Sequence, residues 1–145
     1  MDKTMLYEEF GQVIVRKLRD ENYAYYEYLR KFGRSMTLEE YAKAPKKPQL
    51  AADFQQLEDE RFEFFNSLNP SQLEVLNRLI LHLLDGTAFN FLREVEENLD
   101  QKTSIGMTIN GEKIEHLSSE LLSGTMFGEY FLWLEKYSKY GKFQQ

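Results

Sequence analysis

A chain of 145 residues is near the usual size of one domain, and 42% hydrophobic with 14% aromatic residues lies outside the disordered range. With no cysteine there can be no disulfide framework, thiolate zinc site or thiol nucleophile. The net charge of −6 makes nucleic acid a poor partner, because phosphate binding needs a basic footprint, whereas a basic protein partner is compatible with it.

The first residues carry acids where a signal peptide would be basic and then apolar, and no apolar run is long enough to span a membrane. The expected address is the cytoplasm. Residues 5–32 read as helix, with Tyr7, Phe10, Ile14, Leu18, Tyr25, Leu29 and Phe32 at spacings that line up one face. Glu21-Asn22 is its weakest point and Gly33 a natural stop. Within it, Tyr23, Tyr25, Tyr26 and Tyr28 spread around most of the circumference, so they cannot all face one core. Tyrosine is favoured at protein interfaces, which makes these four the candidate partner-binding residues.

Thr37 with Glu40 matches a capping box that opens a short helix unable to pass Pro45. Ala44-Pro45-Lys46-Lys47-Pro48 is a loop inside one domain, residues 1–145, since what precedes it could hardly fold alone. Its two lysines are too few for a nucleic-acid patch. Residues 50–68 are helical again, with Leu50, Phe54, Leu57, Phe64, Phe65 and Leu68 on the apolar stripe. Asn69-Pro70 then supplies an N-cap followed by proline in the first helical turn.

Residues 70–99 form the expected central helix. Its 3.6-residue period continues through Asp85-Gly86, which predicts burial of Leu76, Ile80, Leu83, Phe91 and Val95. Arg78, His82 and Asp85 mark a polar strip. His82 and Asp85 share a helix face, but no third ligand stands in motif spacing, so neither a metal nor a cofactor is expected. After residue 104 the period shortens to an alternation, and Asn110-Gly111 is a strong signal for a type I′ hairpin turn. A short helical stretch over residues 119–123 ends at Gly124, and a last helix over residues 126–140 ends at Gly141. The fold class is therefore mainly α (α+β), a helical domain with one small antiparallel hairpin near the C-terminus.

From Asp85 onward the chain resembles a set of small bacterial proteins. Their pattern is an Asp-x-x-x-His-x-Phe-Leu helix, a hairpin, a Ser-Asp-Gly-Leu-x-Gly-Glu turn and an aromatic helix ending in Trp and Tyr-Ser. The pieces here run from Asp85 to Leu92, from Ser119 to Thr125 and from Trp133 to Ser138, within a covered span of about 55 residues. Phe89 stands where the pattern has histidine, and Leu121 and Thr125 replace its glycine and glutamate. In size and composition the chain is similar to the immunity proteins of bacterial toxin systems. That resemblance implies a non-enzymatic protein that binds a basic partner, possible homo-oligomers being left open. The alternative is a small enzyme with a site around His116, Glu120 and Asp85, in which the histidine would act as general base.

Overall fold

The computed structural model describes residues 3–99, 106–114 and 121–141. His116, Glu120 and the first two residues of the 119–123 stretch lie outside the described residues; residues 121–123 form a bend and turn, not the expected helix. The elements in order are α1 (Lys3–Ile14), a π-helical segment (Val15–Asp20), α2 (Glu21–Gly33), α3 (Leu38–Lys43), α4 (Ala52–Ser67), α5 (Pro70–Glu97), β1 (Thr108–Ile109), β2 (Glu112–Lys113) and α6 (Met126–Tyr137). The fold is mainly α with one small antiparallel hairpin. No helix among the described residues is long and apolar enough to cross a membrane.

The chain divides into two compact units. One comprises the described residues of Met1–Tyr23 and Arg78–Gln145, and the other is Ala24–Asn77. In the first, Tyr7, Ile14 and Val15 pack with Ala88 and Leu92 of α5 and with Met126, Tyr130, Trp133 and Leu134 of α6. Trp133 is fully buried and lies so close to α1 that only glycine fits at position 11; a β-carbon there would come within 2.4 Å of the indole. The hairpin turns as its sequence predicts, with positive φ at Asn110 (51°) and Gly111 (81°). It pairs Thr108 with Lys113 and Ile109 with Glu112, and Ile114 beyond it joins the core.

The first long helix departs from its predicted face. Between Val15 and Asp20 the ladder widens, and the Glu21 N–H donates to the Arg16 carbonyl five residues back. One extra residue in the turn advances everything after it by roughly 100° of helix phase. The buried positions become Tyr7, Ile14, Val15, Arg19, Asp20, Tyr23 and Tyr26, while Tyr25, assigned to the core face by the simple period, is exposed.

α5 runs unbroken past Gly86, as its period predicts. Its buried stripe is not the predicted one, however. Leu83 and Phe91 are exposed and Leu76, Ile80 and Val95 half-buried, whereas Asp85, Ala88, Leu92 and Glu96 are buried. Two of those four are acids, each held by specific donors, so hydropathy alone points to the wrong arc. α6 stops at Tyr137, three residues before the predicted end, because Ser138 is extended and its hydroxyl is drawn into the core.

In the second unit, Phe62 and Phe65 of α4 and Tyr26 are buried, and the Tyr41 ring stacks on Phe62 at 3.9 Å. Thr37 caps α3 by accepting the Glu40 N–H, though the Glu40 carboxylate accepts the Thr37 hydroxyl rather than reaching the cap N–H. Asn69 and Gln72 form the fully reciprocal cap at the start of α5, each side chain accepting the other's backbone N–H.

Candidate functional site

The π turn places two consecutive charged residues, Arg19 and Asp20, inside the first unit. The Arg19 side chain is 0% exposed. Its Nε donates to Asp85 Oδ1 at 2.7 Å and its Nη1 to Ser138 Oγ at 2.8 Å. Ser138 Oγ accepts the Tyr140 N–H as well and donates to Asp20 Oδ1 at 2.8 Å, so its one proton and two lone pairs are all used. Asp20 Oδ2 takes the Lys139 N–H at 2.8 Å. Asp85 also accepts the Tyr130 hydroxyl at 2.6 Å. Burial first, and then the Asp85 carboxylate, push the Tyr130 phenol far above its ordinary range, which keeps it a donor.

Each carboxylate here already holds its donors, and the ion pair is enclosed. This is the chemistry of a fixed scaffold: a buried pair specifies one arrangement of helices, and its charges are spent on each other. Glu96 does related work farther along α5 by accepting the Met126 N–H at 3.1 Å, a carboxylate at the positive end of α6. Near the chain start, Lys136 Nζ donates to Glu8 at 2.9 Å and the Tyr137 hydroxyl donates to the same carboxylate.

The predicted polar strip is thereby divided. Arg78 and His82 are exposed, whereas Asp85 is buried and committed to Arg19 and Tyr130. Asp85 therefore does not face His82 as a second ligand or as a catalytic partner. Among the described residues no group of three or more His, Cys, Asp or Glu is placed to hold a metal ion.

The four tyrosines are divided too. Tyr23 is buried against the Tyr140 ring at 4.5 Å, within the first unit. Tyr26 is buried in the second, where its hydroxyl donates to Asn77 Oδ1 at 2.6 Å and its ring meets Phe65. The extra residue of the π turn is the reason they point inward, and they leave the list of surface candidates. Tyr25 and Tyr28 stay exposed.

Tyr25 does not stand alone. The Arg61 Nη1 donates to its hydroxyl at 3.3 Å, which brings it to the solvent face of α4. On that helix Phe54, Leu57, Arg61 and Phe64 fall within an arc of roughly 80° at 100° per residue. Phe54 is 63% exposed, Leu57 46% and Phe64 50%. The next arc around carries Asp53, Glu60 and Glu63, all exposed, and no ion pair among the described residues engages them. The core side chains Phe62 and Phe65 lie on the other flank of the apolar arc. The stripe on α4 is thus wider than its core contact. The excess width is the signal available in the sequence: five large apolar positions, Phe54, Leu57, Phe62, Phe64 and Phe65, span roughly 160° of the helix, more than one packed face requires.

Beside α3, the second unit has a cleft of about 210 Å³ bordered by Phe32, Met36, Tyr41, Pro45, Lys46, Gln55 and Glu58. At its margin Asp59 Oδ1 accepts from the Tyr41 hydroxyl at 2.7 Å, Gln55 Nε2 at 2.8 Å and Lys46 Nζ at 3.0 Å. The Tyr41 hydrogen bond, followed by that from Lys46, holds the Asp59 carboxyl below its usual range. Burial and Asp59 push the Tyr41 phenol far upward. Sequence reasoning, which weighs Lys46-Lys47 only as a nucleic-acid patch, misses this cluster. Its members are 18 residues or fewer apart but belong to three different elements.

No known protein family matches the chain, and neither does any curated protein or solved structure.

Proposed function

We propose that this chain is a non-enzymatic cytoplasmic binding protein that presents the solvent face of α4 to a basic protein partner, in the manner of an immunity protein holding a toxin. The observation that carries this reading is the side-by-side arrangement on α4 of an exposed apolar arc, Phe54, Leu57 and Phe64, joined by Tyr25 of α2, and an acidic arc, Asp53, Glu60 and Glu63, that no ion pair among the described residues engages. Aromatic residues and arginine supply the desolvated centre of a protein contact, and a charged rim steers the encounter. A basic surface laid across both arcs would meet carboxylates that have no cation of their own.

The test is photo-crosslinking from position 64 in the source cells, followed by binding kinetics with the purified partner. The expected partner is basic, dissociates faster from Phe54→Ala and Phe64→Ala, and associates more slowly with Glu60→Lys or Glu63→Lys. Raising salt should reduce the association rate of the unaltered protein and have less effect on the charge-reversed forms. A partner whose binding ignores all four substitutions would refute the assignment of this face.

A further inference from the structure

The cleft beside α3 holds a lysine that belongs to the chain itself. Phe62 stacks on the Tyr41 ring in parallel, 8° from coplanar, and so fills one face of it. Lys46 Nζ stands over the ring 4.4 Å from its centroid, and the face left to it is the one turned away from Phe62. The same ammonium reaches Asp59 Oδ1 at 3.0 Å. An aromatic face and a carboxylate converging on one ammonium are the two elements of a cation site. Asp59 still has acceptor capacity, since all three of its donors, from Tyr41, Lys46 and Gln55, fall on Oδ1. Lys46 is held loosely: its side chain is 47% exposed, and it sits in the proline-flanked loop rather than in a helix. Glu58 adds a second carboxylate at the border, 3.6 Å from the mostly exposed Lys47.

We infer that this cleft is a recognition site for a primary ammonium group, a lysine side chain of the partner, and that Lys46 occupies it as a tethered stand-in until displaced. The inference rests on the reading that the partner is basic, and it places a specific contact on the same unit as the α4 face. A tethered competitor sits at an effective concentration in the millimolar range, enough to mask a site of similar intrinsic affinity. The cleft would therefore admit a lysine only when other contacts bring it near.

N-acetyl-lysine amide, titrated into the full chain while the Gln55 side-chain amide and the Tyr41 ring are followed by NMR, tests this without any partner. Lys46→Ala should bind the probe about twofold more tightly than the unaltered chain, the discount imposed by a tether whose effective concentration equals the intrinsic Kd. N-acetyl-norleucine amide, with the same stem and no charge, should leave both signals unmoved. Adding Asp59→Asn to Lys46→Ala should abolish the gain. If that double variant does not fold, the contrast between the lysine and norleucine probes in Lys46→Ala decides the question in the same way. No gain in Lys46→Ala, equal binding of norleucine amide, or a response to inorganic phosphate in place of the ammonium would each overturn the inference. Because no partner enters the titration, its failure would leave the α4 reading standing, and the crosslinking can fail while the titration succeeds.

Discussion

Substituting alanine for Gly11 probes the packing that defines the first unit. The added methyl carbon would lie 2.4 Å from Trp133 Cδ2 and 2.5 Å from Cε2 and Cγ. Carbon atoms in a core rest about 3.5–4.0 Å apart, so three ring atoms are each too close by roughly 1 Å or more. The indole is fully buried, with Phe10 edge-on at 5.9 Å, and has little room to retreat. Overpacking of this kind costs about 3 kcal/mol at the upper end of its usual range. Alanine returns about 1 kcal/mol through its better helix propensity, which leaves a net loss of about 2 kcal/mol. With a urea slope of about 2 kcal/mol per molar, the midpoint should fall by about 1 M. Gly86→Ala supplies the opposite control. It sits in mid-helix with nothing within 4 Å of the added carbon, so it should gain close to the full propensity term. A Gly11→Ala midpoint equal to or above that of the unaltered chain would refute the close seating of Trp133 on α1.

Asp85→Ala should cost about 3 kcal/mol, the lower end for a broken buried pair, because the enclosed Arg19 loses its close partner and keeps only Asp20 at 3.9 Å. Tyr130→Phe removes one donor from a carboxylate that keeps its arginine and should cost only about 1 kcal/mol, both read from urea midpoints. Leu92→Ala should lose about 2–5 kcal/mol and its neighbour Phe91→Ala less than about 1, the reverse of what hydropathy along α5 predicts. The Glu8 contribution should depend on pH. Burial pulls its pKa upward, but the Tyr137 hydroxyl and the Lys136 ammonium outweigh that and hold it below the ordinary 4.5. A depressed carboxyl stabilises the fold above its ordinary value and loses that contribution as pH falls through the folded one. The midpoint gap between the unaltered chain and Glu8→Gln should therefore be constant near neutrality and close on acidification below 4.5; a gap that persists in acid would show that it does not come from the ionised carboxylate, and no gap near neutrality would show the contacts to be energetically idle.

The helices, their caps and the hairpin are legible in the sequence because each rests on local chemistry: a period, a proline, an Asn-Gly pair. Burial is legible only up to Val15. A π turn has no sequence signature in hydropathy, since it answers to the need to bury Arg19 and Asp20 against Asp85 and Ser138, residues more than 60 positions away. From there the true stripe runs one residue out of step with the simple period, which is why that period leaves Tyr23 and Tyr26 among the surface candidates. The same long-range pairing hides the inner face of α5. Asp85 and Glu96 look like solvent residues until the Arg19 side chain, the Tyr130 hydroxyl and the Met126 N–H are brought to them.

The apolar stripe of α4 raises the converse problem, and it bears on function. A period of 3.6 marks residues that avoid water but cannot say what they avoid it with. Phe62 and Phe65 turn to the core of their unit, whereas Phe54, Leu57 and Phe64 carry the same signature into solvent. Solubility alone would favour replacing three such residues, since exposed large apolar groups on one helix face promote association. The neighbouring carboxylates limit which associations can form. A second α4 face brought against the first would oppose Asp53, Glu60 and Glu63 to their own copies, at a cost of like-charge repulsion. A basic surface meets the opposite situation, gaining the apolar area and finding the acids unpaired. On the proposed reading the acids would act as a filter on the hydrophobic patch, admitting a cationic partner and discouraging self-association. In Glu60→Gln with Glu63→Gln most of that repulsion is removed, so sedimentation should show more self-association than in the unaltered chain, even as capture of a basic partner weakens.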